Sequence, residues 1–339
     1  MEQHRDATPV IELQHCVSDS ALKLRSGPIH LEGAVNTHVD RIISKQVNFG
    51  MYLPEKEWVE IAEAYHLLYA KHQSARFDWL SQTLHELNDP ESVIVMLFCD
   101  AYYPFFQNWL ASCDHHNIEV RQRVICFTLD QDAQAKALSQ GVQAYCLDPE
   151  RYGGAGHAGY FSDTRFGRTM FYKNAIVRDL LEMGVGVLFQ DVDLIWLRDP
   201  FEYFGQNEDV DMQFMFDGPN CMHQPLYANS GFFFARANDA TRALLDTALG
   251  NTASIFRSGS HQKPLNRILG HFVLHNVLAL KILPENLFLN GHLFNLKSGL
   301  DPQAIQWRES GYAVHYSWSG NKEEKWMKMS QFGFVFGPQ

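Results

Sequence analysis

Two carboxylates one residue apart, Asp191 and Asp193, follow directly on an apolar run of Val185, Val187, Leu188 and Phe189. The run is short, rich in β-branched residues and bounded by Gly184, which is the pattern of a strand buried on both faces of a sheet. Ligands of open α/β sheets bind at the carboxyl ends of strands. Two anions placed there repel each other and lose solvation, so they need a cation. Hard oxygen ligands at this spacing suit Mn²⁺ or Mg²⁺, held by one or two carboxylates while a substrate's phosphates fill other positions. A D-x-D by itself is equally compatible with a strand-to-loop turn carrying solvated acids. Lys173 is the next residue of interest. It falls in the apolar stripe of Met170, Val177 and Leu180 on a helix expected over 168–183. Either its stem snorkels along that stripe, or its ammonium reaches a carboxylate or phosphate at the rim of the sheet.

The elements that would position these groups are legible upstream. Trp58, Ile61, Ala62, Tyr65, Leu68 and Tyr69 recur at helical spacing and predict one or two helices over 55–87. Strands are expected at 93–98, ending in Cys99-Asp100, at 124–129, ending before Asp130, and at 142–147, ending before Asp148. Helices over 105–115, with Pro104 in the first turn, and over 131–139, closed by Gly141, separate them. Strands alternating with helices mean right-handed βαβ units and a parallel sheet, which sets Asp100, Asp130 and the D-x-D on one rim. The glycine-rich stretch 151–167 reads as a loop near that rim. Beyond the D-x-D the sequence predicts an exit turn at 196–200, strands at 210–216 and 230–235, and a helix over 240–249 closed by Gly250. The last third reads mostly as loops, and His315 lies on no strand pattern of its own.

The chain has 339 residues and a formal net charge of −11. That balance argues against nucleic acid as a partner, because a phosphate backbone needs a basic surface. A phosphate-bearing ligand would need a local cation. Six cysteines (Cys16, Cys99, Cys113, Cys126, Cys146 and Cys221) show no regular spacing and are expected to be reduced. No stretch has the apolar length of a signal peptide or a membrane span. The expectation is a soluble, cytoplasmic protein.

Lys173, then VLFQDVDLIWLRDP, resembles the nucleotide-diphospho-sugar transferases of glycosyltransferase family 77, and the resemblance runs from about residue 92 to the C-terminus. Asn108-Trp109, Leu129-Asp130, Asn229-Ser230-Gly231-Phe232, Asn290-Gly291, and His315 followed by Gly320 and lysines continue it. The resemblance implies an α/β, GT-A type fold with a Rossmann-like, mixed but mainly parallel sheet. It places the catalytic domain at 91–339, behind an N-terminal extension and helices at 1–90. It further implies a retaining glycosyltransferase, hexosyl- or pentosyl-, that moves a sugar from a UDP-sugar to a hydroxyl acceptor with Mn²⁺ or Mg²⁺ and gives an α-linked product. By analogy with the related family 8, Asp191, Asp193 and His315 would be the metal ligands. Lys322 or Lys325, with Gly320 and Val192 alongside, would meet the diphosphate. Asp130 and the backbone of Cys99, Asp100 and Ala101 would meet uracil and ribose, while Lys173, Asn229 and Gln262 would surround the donor sugar. One departure stands out: these families commonly carry Asp-Gln where this chain has His261-Gln262. The donor sugar therefore cannot be inherited from the resemblance, and Asp217 is the candidate to replace the missing acid. Two rivals remain. A haloacid-dehalogenase-type phosphatase also carries a D-x-D after an apolar strand, but it wants threonine or valine where Ile195 stands, on the first strand of its sheet. A catalytically inactive sugar-nucleotide binder or scaffold would keep the fold and lose the chemistry.

Overall fold

The structure, a computed structural model, describes residues 55–147, 164–218, 227–292 and 310–337. Two helices, α1 (Glu55–Lys71) and α2 (Gln73–Glu86), precede the first strand. A seven-stranded sheet follows in the order β3-β2-β1-β4-β7-β6-β8. Its strands are β1 (Ser92–Phe98), β2 (Val124–Thr128), β3 (Gln143–Cys146), β4 (Gly186–Gln190), β6 (Met212–Phe216), β7 (Ala228–Ala235) and β8 (Leu280–Ile282). The pairs β1/β2, β2/β3, β1/β4 and β6/β8 are parallel, and β7 runs antiparallel to both β4 and β6. The sheet is mixed and mainly parallel, as expected.

Alternation along β1 sorts the two layers, because successive side chains point to opposite faces. Val93, Val95 and Leu97 join one core with α1, α2, α5 (Thr164–Glu182), α7 (Asp239–Gly250), α8 (Thr252–Ser258) and α9 (Gln262–Leu274). Ile94, Met96 and Phe98 join a second core with α3 (Tyr103–His115), α4 (Gln131–Ser139) and α10 (Lys322–Gln331). The second core also takes in a three-stranded sheet of order β5-β10-β9, made of Leu194–Trp196, Ala313–His315 and Phe288–Asn290. The short helix α6 (Phe201–Phe204) completes the described elements. The helices of the N-terminal stretch are built into the first core through Trp58, Ile61, Tyr65 and Leu80. Arg76, only 1% exposed, pairs with Asp179 at 2.7 Å, and Tyr69 donates to the same carboxylate oxygen at 2.6 Å. Removing one partner of such a buried pair typically costs about 3–5 kcal/mol, so α2 is fastened to α5.

Strands β1, β2 and β3 spread to one side of β1, and the chain then returns through α5 to place β4 on the other side. The reversal between β1 and β4 is the topological switch point, where open α/β sheets bind ligands. Helix α5 stops at Gly184, whose φ of +81° favours glycine. The Gly184 amide donates to the Leu181 carbonyl and the Val185 amide to that of Leu180, which closes it. The chain enters β4 directly afterwards.

Several expectations are corrected. The loop expected over 151–167 gives way to helix at Thr164, and the rest of it, with Asp148, lies outside the described residues. Cys16 and Cys221 also lie outside them; Cys99, Cys113, Cys126 and Cys146 are free thiols. Trp196 belongs to β5 and not to an exit turn, and His315 ends a strand, β10. The loop-like last third holds α8, α9, α10 and three short strands. Among the described residues, no helix is long and apolar enough to cross a membrane.

Candidate active site

Each member of the acidic cluster comes from a different element. Asp191 leaves the end of β4, and its amide donates to the Gly231 carbonyl of β7 at 2.7 Å. Asp193 precedes β5, and its carbonyl accepts the Tyr316 amide at 2.9 Å. His315 closes β10 directly opposite Leu194 of β5. One ligand atom from each of Asp191, Asp193 and His315 can be chosen so that all lie within 4.8 Å of one another. His315 Nε2 stands 3.4 Å from Asp193 Oδ1 and 4.0 Å from Asp191 Oδ2.

Two ammonium groups balance the carboxylates. Lys173 of α5 donates to Asp191 Oδ1, and Lys325 of α10 donates to Asp193 Oδ2. Lys173 is thus the rim cation of its two readings and does not snorkel. Burial works against the charge on Asp193, but Lys325 and His315 outweigh it and hold the carboxyl well below the ordinary carboxylate range. Lys325 is pushed the other way: burial disfavours its charge, and Asp193 more than restores it.

Gly231 keeps the space in front of the cluster clear. A Cβ there would come within 2.5 Å of Asp191 Oδ2, 2.7 Å of His315 Cε1 and 3.0 Å of Asn229 Oδ1. Two carboxylates and an imidazole facing a gap kept free of any side chain fit a divalent ion such as Mn²⁺, which accepts both oxygen and imidazole ligands. Gly231→Ala is therefore expected to weaken Mn²⁺ binding by about tenfold, ~1.4 kcal/mol, with the circular dichroism spectrum unchanged. Calorimetric titration of Mn²⁺ in the presence of UDP checks this, and wild-type affinity would mean the gap serves only packing.

A second network adjoins the first. Asp217, just past β6, accepts from Asn229 Nδ2 at 2.5 Å and from Gln262 Nε2 at 2.6 Å. Gln262 Oε1 in turn accepts from the amide and hydroxyl of Ser230 at 3.2 and 3.0 Å, and Asn229 Oδ1 accepts the Gly231 amide at 2.7 Å. Burial raises the Asp217 pKa against the pull of Gln262, His315, Asn229 and Trp318. His261 is 4% exposed, and neither ring nitrogen has a hydrogen-bond partner among the described residues. Burial, then the nearby Lys173 ammonium, pushes its imidazole well below the usual histidine range despite a backbone contact at Ser230. The folded protein therefore holds His261 neutral, while the unfolded chain binds a proton below about pH 6.5. Stability is expected to fall as pH drops from 7 to 5, with a slope approaching about 1.4 kcal/mol per pH unit for this group. His261→Gln should flatten that part of the curve in urea melts, and an unchanged slope would show that other groups set it.

The remaining predicted residues line the β1 side. Asp130 caps α4 by accepting the Ala133 amide at 2.8 Å, and its other oxygen accepts the Asp100 amide at 2.9 Å. One oxygen thus caps α4 and the other ties the end of β2 to the end of β1. The Asp100 carboxylate turns to Lys136 at 2.5 Å. The Cys99 thiol is buried, which raises its pKa. Val192 is buried in the second core, which leaves its backbone as the part able to meet a ligand. The Gly320 amide donates to Glu324 at 2.6 Å at the start of α10, and Lys322 Nζ lies 5.6 Å from the Tyr102 ring centre. Sequence reasoning missed Tyr102. Burial chiefly raises its phenol pKa, Lys325 opposes this, and Asp193, Cys99 and Asp191 add to it. The phenol thus lies within electrostatic range of the cluster, at the end of β1. Gly231 was read only as part of a motif, although a glycine inside a strand is itself a sign of close approach.

The switch point of the sheet thus brings together paired acids, an imidazole and two lysines, groups able to hold a cation and an anion side by side. The chain belongs to the nucleotide-diphospho-sugar transferase family, whose sequence profile matches residues 119–329, as the resemblance to family 77 implied. An Arabidopsis thaliana relative, UDP-D-xylose:L-fucose alpha-1,3-D-xylosyltransferase 3, is 25% identical over 242 residues, covering 64% of this chain and 61% of its own. Beta-arabinofuranosyltransferase RAY1 of the same plant is 23% identical, covering 69% of this chain and 45% of its own. The chain thus spans between about half and three fifths of the length of these relatives. Among solved structures, the glycosyltransferase GlyE of Streptococcus pneumoniae is 12% identical, with a TM-score of 0.45 over 73% of this chain and 61% of that one.

Proposed function

We propose that the protein transfers a sugar from a UDP-sugar to a hydroxyl acceptor with retention of anomeric configuration, so that a UDP-α-sugar gives an α-linked product. The observation that carries this reading is the cluster of Asp191, Asp193 and His315 between Lys173 and Lys325 at the β1/β4 switch point. Asp191, Asp193 and His315 would hold the metal, Mn²⁺ in this reading. When bound, it supplies Lewis-acid stabilisation of the departing diphosphate. The chain's own cations do related work: Lys173 and Lys325 keep positive charge where the leaving group's negative charge develops. Asp217 has both oxygens engaged by Asn229 and Gln262, so it is poorly placed to attack the anomeric carbon. This supports front-face attack, in which the departing phosphate oxygen takes the acceptor's proton and catalysis rests on positioning. Gln262 and Asn229, held by Asp217 next to the acidic cluster, are suited to the donor sugar's hydroxyls.

The test is UDP release from a panel of UDP-sugars by purified protein, with Mn²⁺ and with chelator, followed by NMR of the product anomer. A β-linked product from a UDP-α-sugar overturns retention. His261 favours one other reading: a neutral imidazole stands beside Lys173, where the family resemblance expects an acid. UDP-sugar binding without turnover for any donor would support an inactive binder of the same fold.

A further inference from the structure

Asn108 lies in the middle of α3, where its neighbours Phe105, Phe106 and Trp109 belong to the second core. It is 1% exposed, and a buried amide is costly unless its hydrogen bonds are made. Its side chain is bonded to one stretch of chain, 221 to 229 positions away. Oδ1 accepts the amides of Phe336 at 2.7 Å and Gly337 at 3.2 Å, and Nδ2 donates to the Phe334 carbonyl at 3.0 Å. The same Nδ2 stands 3.8 Å from the sulfur of Met329.

That stretch follows directly on α10. Gly333, with a φ of +70°, ends the helix: its amide donates to the Ser330 carbonyl at 3.0 Å, and the Phe334 amide donates to that of Met329 at 2.8 Å. These are the two bonds of a Schellman cap, which ties the tail to the last helical turn. Helix α10 also leans on α3 one turn before Asn108, where Trp326 stacks on Phe105 with ring centres 4.6 Å apart. Residues three apart share a helix face, so Phe105 and Asn108 hold α10 from one side. Lys325 is the neighbour of Trp326, and its ammonium meets Asp193. We propose that Asn108 is a positioning residue for the transfer reaction: by latching the segment behind α10 onto α3, it sets the helix where Lys325 reaches Asp193. This rests on the transferase reading above and adds a residue that touches no substrate. A lysine stem is long and flexible, so the place of its ammonium is decided by where its helix is anchored. A group misplaced by about 1 Å loses much of its effect on a reaction.

The experiment acetylates lysine amines of the full chain with a trace of reagent and reads each site by mass spectrometry, in wild type, Asn108→Leu and Asn108→Ser. Leucine suits the apolar neighbourhood; serine adds no bulk to strain it and is too short to bridge to the tail. An ammonium held by a carboxylate and shielded from solvent reacts slowly. Lys325 and Lys173 are both of this kind, with 18% and 7% of their side chains exposed. Lys173 sits on α5, outside the latched unit, and Lys56, whose side chain is 85% exposed, reports the supply of reagent. The expected result is a rise of at least fivefold at Lys325 in both variants, with less than twofold change at Lys173 and Lys56. In transfer assays kcat should fall at least tenfold in Asn108→Leu. Added to Lys325→Met, the same change should lower kcat by less than a further twofold, because two changes acting through one group are not additive. Unchanged labelling of Lys325 overturns the proposal. So does a joint rise at Lys325 and Lys173 in both variants, the mark of general loosening, and so does normal turnover in a variant whose Lys325 has become reactive. A wild type that turns over no donor, with selective labelling of Lys325 in the variants, would fail the transferase reading and keep the latch.

Discussion

Asp193→Ala is expected to abolish UDP release with every donor, a loss of at least a thousandfold, or about 4 kcal/mol of transition-state stabilisation. Asp193 is buried, faces His315 at 3.4 Å and accepts from Lys325, so one truncation takes away a proposed metal ligand and strands a cation. Stability should fall as well. Considered alone, two adjacent acids repel, and losing one would relieve the other. The structure reverses that expectation, because each acid has its own lysine. Removing one partner from a buried pair costs about 3–5 kcal/mol, less here because the Lys325 side chain is 18% exposed. Asp191 is more open, with 29% of its side chain exposed, so Asp191→Asn should lose comparable activity with a smaller shift in melting temperature. Thermal melts and single-turnover assays on both variants separate the two effects. Near-normal turnover in either variant would make the D-x-D a structural turn.

Lys173→Met is the second large effect expected. Methionine keeps an unbranched stem of similar length in the apolar stripe of α5 and removes only the ammonium that reaches Asp191. A hydrogen bond to a charged group is worth about 1.5–3 kcal/mol, so turnover should drop about hundredfold, ~2.7 kcal/mol. The change also removes the ammonium that, after burial, helps keep His261 from taking up a proton. Steady-state rates over a range of donor concentrations read the loss, and an unaltered kcat would take Lys173 out of the chemistry.

How much of this was legible depended on whether the signal was local. The D-x-D was readable because β4 is a continuous apolar run whose end is marked by charge. Lys173 was readable as an anomaly in a helical stripe. The strand under His315 was not, because β10 has three residues and owes its existence to partners 25 and more than 100 positions away; no period can show in three residues. Helix α9 was missed for a related reason. It opens at Gln262 with Pro264 in its first turn, and the segment before it looks like a loop. Asp130 was expected to meet uracil and ribose, and the structure uses one of its oxygens to cap α4 and the other to accept the Asp100 amide. The pairing of Lys325 with Asp193 joins residues 132 positions apart, a contact that no spacing rule reaches. The left-handed backbone of Trp318, with a φ of +56°, leaves no trace in composition, since tryptophan is not a residue chosen for that conformation.

The small sheet has a consequence for the imidazole. Because β10 is clasped between β5 and β9, the position of His315 is set by its neighbours Leu194 and Asn290. A change that shifts β5 or β9 therefore moves the imidazole with it.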